Sequence, residues 1–357
     1  MDDELPKGFH WLTVSDVRRE TAQATSVAFH IPDELKAIFA FTPGQYLTLL
    51  RPGQEPIRRP YSICSAHEDE DIRVCVKHLS GGAMSTFVNT QLKIGDRLPV
   101  RRPTGRFCLP NGAPNGHYVF IAAGSGITPI LAHVRALLRE EETSATLIYG
   151  NSTRADIIFR EELLDLKNAN LGRLALHHVL SREHMDVPLF EGRLEKEKIT
   201  QLVTALTNPA QISAFLICGP GPVMDNAESA LRDLGVEDER VLTESFGSHI
   251  PVQAPPIPDE LNKEPSAKAT ITINGEKTSL DVPYDKAVLD VALAAGLDIP
   301  FACKGGVCCT CKARLVDGDV VMPVNYGLEA DEIDRGFILT CQAIPRSKEL
   351  VVDYDAV

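Results

Sequence analysis

Cys303, Cys308 and Cys311 fall in the order C-x₄-C-x₂-C, and a further cysteine, Cys341, follows thirty residues after Cys311. No other stretch restricts the fold so strongly, because thiols from one tight loop must meet a thiol from a distant segment. This spacing is one that holds a [2Fe–2S] cluster, in which four thiolates converge on two irons. The loop must then wrap the cluster. Gly305 and Gly306 suit that task, since without a Cβ they can take positive φ and bring backbone N–H groups near sulfur. A structural zinc site is the main alternative, with disulfides behind it. Zinc sites usually present two separated C-x₂-C pairs, whereas one such pair, Cys308/Cys311, occurs here. Cys309 lies inside that pair, where it cannot share its neighbours' direction, and is left outside the ligand set.

Of nine cysteines, five lie between 303 and 341, and Cys64, Cys75, Cys108 and Cys218 are scattered, mostly in apolar runs. That usage suits a reducing cytoplasm. The N-terminal MDDELPKGFH has no basic segment leading into an apolar one, and no run of eighteen apolar residues occurs, so neither secretion nor a membrane span is expected. The net charge of −13 argues against a nucleic-acid partner. Residues 260–357 hold 16 acidic and 10 basic side chains, net −6. Such a surface either steers docking onto a basic partner or reflects the ordinary acidity of a soluble protein.

From Trp11 to about Pro110 the pattern is one of short strands, with candidates at 25–31, 45–50, 61–65, 72–77 and 97–101, punctuated by Pro43-Gly44, Pro52-Gly53 and Gly81-Gly82. This predicts an antiparallel β-barrel. Along Arg58-Arg59-Pro60-Tyr61-Ser62, Arg59 can pair a diphosphate, Tyr61 can stack on a flat ring and Ser62 can hydrogen-bond a ring heteroatom. Downstream of Lys77, the run Gly82-Ala-Met84-Ser85-Thr86 leads from a Gly pair into a helix start suited to phosphate. A surface strand and a simple turn are the plainer readings of these two stretches.

After the Pro/Gly/Asn-rich bridge 110–116 the period changes. Tyr118–Ala123 is continuously apolar, as in a buried parallel strand, and breaks at Gly124-Ser-Gly126-Ile-Thr128-Pro129 before a helix over 130–139. Strands at 145–149, 174–180 and 214–218 alternate with helices at 157–166, 196–206 and 223–234, which predicts a doubly wound α/β nucleotide domain. Gly124-x-Gly126 at the first strand-to-helix turn is a phosphate cradle. Cys218-Gly219-Pro220 closes the last buried strand. The second strand runs out through Arg154 without a carboxylate until Asp156, and the third ends in Ser181-Arg182. Cations here favour a 2′-phosphate, hence NADPH over NADH, although these arginines could equally be solvated loop residues. His177-His178 on a strand and Glu161-Glu162 on a helix are read as structural and as a solvated face respectively.

Five prolines between 251 and 265 mark a linker, followed by strands at 270–273 and 278–282 joined through Asn274-Gly275, a helix at 287–295, the cysteine loop, and strands at 312–315 and 338–341. The expected division is a flavin barrel over 1–112, a nucleotide domain over 113–249, a linker over 250–266 and an iron–sulfur domain over 267–357: a multidomain α+β and α/β protein.

Taken together these motifs resemble the ferredoxin–NADP reductase superfamily. Arg59, Tyr61 and Ser62 match its R-x-Y-[ST] strand, and Gly82, Met84, Ser85 and Thr86 match its pyrophosphate segment, which implies FAD. Gly124, Thr128 and Pro129, with Cys218-Gly219-Pro220 at the nicotinamide end, match its nicotinamide-nucleotide contacts, and Thr243–Phe246 resembles the segment that closes the unit near the flavin. The last ninety residues resemble a plant-type ferredoxin of β-grasp fold, with Cys303, Cys308, Cys311 and Cys341 as ligands. Barrel, nucleotide domain and ferredoxin in this order are the layout of oxygenase reductases. The cysteine loop and the tail Asn325…Gly336-Phe-Ile-Leu-Thr-Cys341 are most similar to phenylacetyl-CoA epoxidase reductases, with steroid 9α-hydroxylase reductases as the nearest competitors. Cys309 departs from the small residue that this resemblance leads one to expect.

The resemblance implies a relay from NADPH to FAD to [2Fe–2S] to an oxygenase component, with hydride transfer near Ser62 and Cys218 governed by positioning. No Glu-x-x-His helix pair or facial triad is present to activate oxygen in this chain, which leaves that chemistry to a partner. An NADH-dependent reductase of another oxygenase, a ring-hydroxylating dioxygenase included, and an iron–sulfur redox sensor are the other readings.

Overall fold

A computed structural model describes the chain except residues 1–4, 7, 54–56, 68, 110–114, 247–255, 257–260, 262–264, 302, 307, 326, 329 and 357. Most of the expected linker lies outside the described residues. The chain divides into two units, Gly8–Phe246 and a second comprising Met1–Lys7 with Gly247–Val357.

The first unit begins with a six-stranded antiparallel sheet made of β1 (Phe9–Thr21), β2 (Ala24–His30), β3 (Tyr46–Arg51), β4 (Ile57–Ser62), β5 (Asp71–Lys77) and β6 (Arg97–Thr104), in the order β4-β3-β6-β1-β2-β5. A bridge between Ile63 and Val74 joins the two edge strands and closes the barrel. Closure removes open edges. Alternate residues such as Leu12, Val27, Phe29, Leu47, Leu49, Val74 and Val100 point inward to form its core. Each such side chain contributes about 1.5–3 kcal/mol when fully buried. Two helices, α1 (Lys36–Phe39) and α2 (Ala83–Thr90), cover its ends, with Met84 and Val88 of α2 reaching the core. The long first strand, β1, was not among the sequence candidates.

The same unit continues as a parallel sheet of β7 (His117–Ala123), β8 (Ser144–Asn151), β9 (Leu174–Leu180), β10 (Ile212–Gly219) and β11 (Val241–Ser245), in the order β11-β10-β7-β8-β9. The strand order reverses between β7 and β10, which opens a crevice at their carboxyl ends. Helices α3 (Ile127–Leu137), α4 (Arg160–Ala169), α5 (Lys196–Leu206) and α6 (Gly221–Asp233) pack on the two faces. Helix α3 is buried on nearly every side, because one core joins its Ile127, Ile130, Leu131 and Val134 to Ala24, Cys64 and Cys75 of the barrel. Buried His133 of α3 hydrogen-bonds the Phe107 carbonyl at 2.7 Å, and a Cβ on Gly44 (φ 91°) would overlap that same carbonyl. Barrel and sheet are thus locked together around α3.

Two expectations are corrected here. Helix α4 starts at Arg160 rather than 157, because a Thr153–Asp156 capping box closes a separate turn and Phe159 takes φ 60° before the helix begins. Glu162 is not on a solvated face: Arg135 pairs with it, whereas Glu161 is exposed.

The second unit holds a mixed sheet of β12 (Ser266–Ile273), β13 (Glu276–Pro283), β14 (Lys312–Asp317), β16 (Phe337–Leu339) and β18 (Glu349–Asp353), in the order β13-β12-β18-β14-β16, with β12 parallel to β18. Helix α7 (Val288–Ala294) packs Val288, Leu289 and Ala292 into its core. A small ribbon of β15 (Val320–Val321) with β17 (Ile344–Pro345), and helix α8 (Ala330–Asp334), complete the unit. The Asn274-Gly275 turn forms as expected, with φ 52° and 78°, and both N–H groups donate to the Asp355 carboxylate at 2.8 and 2.7 Å.

Candidate functional site

In the second unit the loop 303–311 brings thiols together two by two. The Cys308 thiol is pushed up by its hydrogen bond with Cys303 and by burial, and the Cys311 thiol by its hydrogen bond with Cys341 and by burial. Among the described residues, no three His, Cys, Asp or Glu side chains are grouped as a single metal ion requires. Two thiol pairs fit a two-iron cluster, one pair per iron, better than one tetrahedral zinc. Backbone N–H groups surround the sulfurs: Gly305 N–H donates to Cys303 Sγ at 3.2 Å, Cys308 N–H to Cys303 Sγ at 3.4 Å, and Cys303 N–H to Cys308 Sγ at 3.4 Å. Such donors stabilise negative sulfur, the charge that cluster binding requires.

The wrap is made differently from the expectation. Among the described residues of the loop, the left-handed ones are Lys304 (φ 55°), Gly306 (φ 74°) and Cys309 (φ 51°), and Gly305 is not one of them. Gly306 is required, since a Cβ there would lie 2.6 Å from the Val324 carbonyl oxygen. Lys304 is held in its conformation by Gln342, which donates to its carbonyl at 3.1 Å, and by an ion pair of its ammonium with Asp290 at 2.8 Å. Cys309 turns its thiol to the Gly327 carbonyl at 2.7 Å, apart from the two pairs. None of the nine cysteines forms a disulfide.

On the barrel, β4 presents Arg59 and Tyr61 partly open to solvent, while Ser62 is buried. Arg59 donates to the Arg58 carbonyl at 2.7 Å. Burial pushes the Tyr61 phenol far up, so it stays neutral, as a stacking ring should. Gly82 is the N-cap of α2 and no side chain caps the helix, which leaves first-turn N–H groups available to an anion. Met84 is buried in the barrel core, and the Ser85 hydroxyl serves its own turn, accepting from Leu79 N–H at 3.1 Å and donating to the Gly82 carbonyl at 3.0 Å. Only the backbone N–H groups of these two residues remain for a phosphate. Thr86 contacts His78 at 3.3 Å, and the Lys77 ammonium lies 3.6 Å from where a Cβ of Gly124 would stand.

Gly124 (φ 53°) and Gly126 shape the crevice between β7 and β10, and a Cβ on Gly126 would overlap the Cys218 carbonyl oxygen. Thr128 and Pro129 are buried in the first turn of α3, where the Thr128 hydroxyl donates to the Ser125 carbonyl at 3.0 Å. They shape the loop from inside. On the opposite wall, Gly219 and Pro220 lead into α6. Phe246 follows β11 as an exposed ring.

Glu244, noticed in the sequence only as part of the Thr243–Phe246 segment, connects these parts. Parallel pairing sets Glu244 of β11 beside Cys218 of β10, and Ser62 Oγ donates to Glu244 Oε2 at 3.0 Å. Burial raises the Glu244 pKa to about 8, with the Ser62 hydrogen bond opposing. Cys218 is fully buried and its thiol is pushed well up by burial and by Glu244, so it remains a neutral thiol. Its suitability is for packing and positioning, not for nucleophilic attack. The same carboxylate, after burial, also helps push the Cys108 thiol up to about 11.

At the far end of the crevice the ladder of β8 and β9 runs on into their loops, with Ser181 N–H donating to the Asn151 carbonyl at 3.0 Å and Arg182 N–H to the Ser152 carbonyl at 2.9 Å. Arg154, Ser181 and Arg182 therefore share one rim. Glu183, unnoticed in the sequence, shares it too.

Comparison with known proteins decides the family. Residues 12–108 match the oxidoreductase FAD-binding domain, 120–229 the oxidoreductase NAD-binding domain and 271–346 the 2Fe-2S iron-sulfur cluster binding domain. Over 353 residues the chain is 40% identical to a subunit of the 1,2-phenylacetyl-CoA epoxidase of Escherichia coli (strain K12), covering 98% of each. The chain belongs to the family of that subunit. It is an oxidoreductase in which electrons pass from a nicotinamide nucleotide through FAD to a 2Fe-2S cluster. The 3-ketosteroid-9-alpha-monooxygenase ferredoxin reductase component of Rhodococcus rhodochrous is 32% identical over 98% of this chain and 99% of that protein. In fold the chain is similar to phthalate dioxygenase reductase, with a TM-score of 0.63 at 24% identity over 97% of this chain and 98% of that one.

Proposed function

We propose that this chain is the NADPH-dependent reductase component of a multicomponent oxygenase, with a diiron phenylacetyl-CoA 1,2-epoxidase as its acceptor. The full-length likeness to a phenylacetyl-CoA epoxidase component carries the choice of partner. When bound, FAD would supply the exchange between a hydride and single electrons, and a [2Fe–2S] cluster the one-electron outlet. Within the chain, Arg59 and the N–H groups that follow Gly82 hold the diphosphate of the flavin, and Tyr61 and Phe246 flank its ring. Ser62, fixed by Glu244, and Cys218 orient nicotinamide against flavin. Gly124 and Gly126 let the second diphosphate approach, and Lys77 supplies positive charge beside it. Cys303 with Cys308, and Cys311 with Cys341, hold the two irons.

Arg154, Arg182 and Ser181 on one rim favour a 2′-phosphate and hence NADPH. A cytoplasmic setting fits a chain whose cysteines are unbridged, and no described helix is long and apolar enough to cross a membrane. A second reading, an NADH-dependent reductase of a steroid-hydroxylating oxygenase, is favoured by the likeness to the ketosteroid system and by the acidic Glu183 on that rim.

The test is reconstitution. The purified protein with NADPH, phenylacetyl-CoA and the epoxidase components should give epoxide, and NADH should support a lower rate. Absence of substrate oxidation, while an artificial acceptor is still reduced, would remove the partner assignment.

A further inference from the structure

The rim at the carboxyl ends of β8 and β9 carries opposed charges. Arg154 N–H donates to Glu183 Oε1 at 2.8 Å, and its guanidinium Nε stands 4.0 Å from Glu183 Oε2. The other nearby carboxylate, Asp156, is consumed locally, accepting from Thr153 N–H at 3.1 Å and Thr153 Oγ1 at 2.7 Å. Arg182 is exposed and, among the described residues, is joined by no ion pair. The rim thus holds one cation tied to a carboxylate, one cation facing solvent, and a single carboxylate able to meet a ligand.

We propose that Glu183 is a specificity-determining residue that restrains the preference for a 2′-phosphate and keeps the 2′-hydroxyl cofactor usable. The proposal rests on the reading of this rim as the adenosine end of the nucleotide site. The physics has two parts. A 2′-phosphate is a dianion, so the Glu183 charge repels it directly and also neutralises Arg154, its natural partner. A 2′-hydroxyl is a neutral donor that a carboxylate can accept. Glu183 therefore acts with opposite sign on the two cofactors, and Arg182 supplies the attraction that survives.

Steady-state kinetics of the full-length holoprotein with NADPH and with NADH test this, using an artificial electron acceptor. Glu183→Gln retains an oxygen that can accept from Arg154 N–H, so it removes charge without removing that hydrogen bond. The ratio of kcat/KM for NADPH over NADH should rise about tenfold, the scale for one charge near a dianion on a solvated rim. The change should appear in KM with kcat unchanged, and should shrink at high ionic strength. A ratio within twofold of wild type, or an equal change for both cofactors, overturns the proposal. Arg154→Ala and Arg182→Ala separate the two levels of failure. If they raise the KM for NADPH while Glu183→Gln does nothing, the proposal alone falls. If none of the three alters either KM, the reading of the rim falls with it.

Discussion

Ser62 of the barrel and Glu244 of the parallel sheet, 182 positions apart, are joined by a 3.0 Å hydrogen bond beside the Cys218 thiol. The bond ties the proposed flavin strand to the proposed nicotinamide wall, and it does so through a half-buried glutamate.

That carboxyl makes stability depend on pH. Burial lifts Glu244 from the ordinary 4.5 to about 8, so the folded state holds its proton more tightly than the unfolded chain does. The stabilisation from this proton is present below about pH 4.5 and is lost as pH rises through about 8. Glu244→Gln cannot titrate. Its melting temperature relative to wild type should rise between pH 5 and pH 9, reflecting a difference on the order of a few kcal/mol. A difference that stays constant with pH would refute the burial account.

Gly126 has an ordinary φ of −60°, so any effect of Gly126→Ala comes from contact with the Cys218 carbonyl and not from backbone strain. The variant should lose about 1–3 kcal/mol, the scale of overpacking, and should raise the KM for NADPH while keeping its FAD. Thermal melts and flavin content measure both, and an unshifted melt would show that the crevice wall yields.

Cys309 has a left-handed backbone and a thiol directed at Gly327. Cys309→Ala should keep full iron content and visible absorbance, whereas Cys303→Ala, Cys308→Ala, Cys311→Ala and Cys341→Ala should each lose them. Iron and sulfide analysis after purification decides the assignment. Loss of the cluster in the Cys309 variant would break it.

Buried Tyr354, just past β18, donates to Thr340 Oγ1 at 2.7 Å, and Thr340 in turn donates to the Cys311 carbonyl at 2.9 Å. Tyr354→Phe removes one hydrogen bond, worth about 1 kcal/mol. The resting cluster should form normally but bleach faster on warming. An unchanged bleaching rate would mean that the chain of hydroxyls does not support the cysteine loop.

Local chemistry carried most of what the sequence disclosed. The cysteine spacing, the Asn274-Gly275 turn and the apolar run at 118–123 each encode their structure within a few residues. What escaped depends on pairing between distant segments. Glu244 gains meaning only from the register that sets it beside Cys218 and from a hydroxyl on another sheet. Strand β18, central in the second sheet, comes from the last residues of the chain and pairs in parallel with β12, far upstream. Gly305 and Lys304 show a subtler limit. Glycine is the residue best able to turn left-handed, yet contacts from Gln342 and Asp290 place that conformation on the lysine.

The central claim is that electrons arriving as hydride leave through iron and sulfide within this one chain. Anaerobic addition of NADPH to the purified full-length protein, followed by visible absorbance and by electron paramagnetic resonance, tests it most directly. The account predicts bleaching of the flavin bands together with a stoichiometric signal from a reduced [2Fe–2S] centre. Bleached flavin with no such signal, in protein that contains its full complement of iron and sulfide, would contradict it.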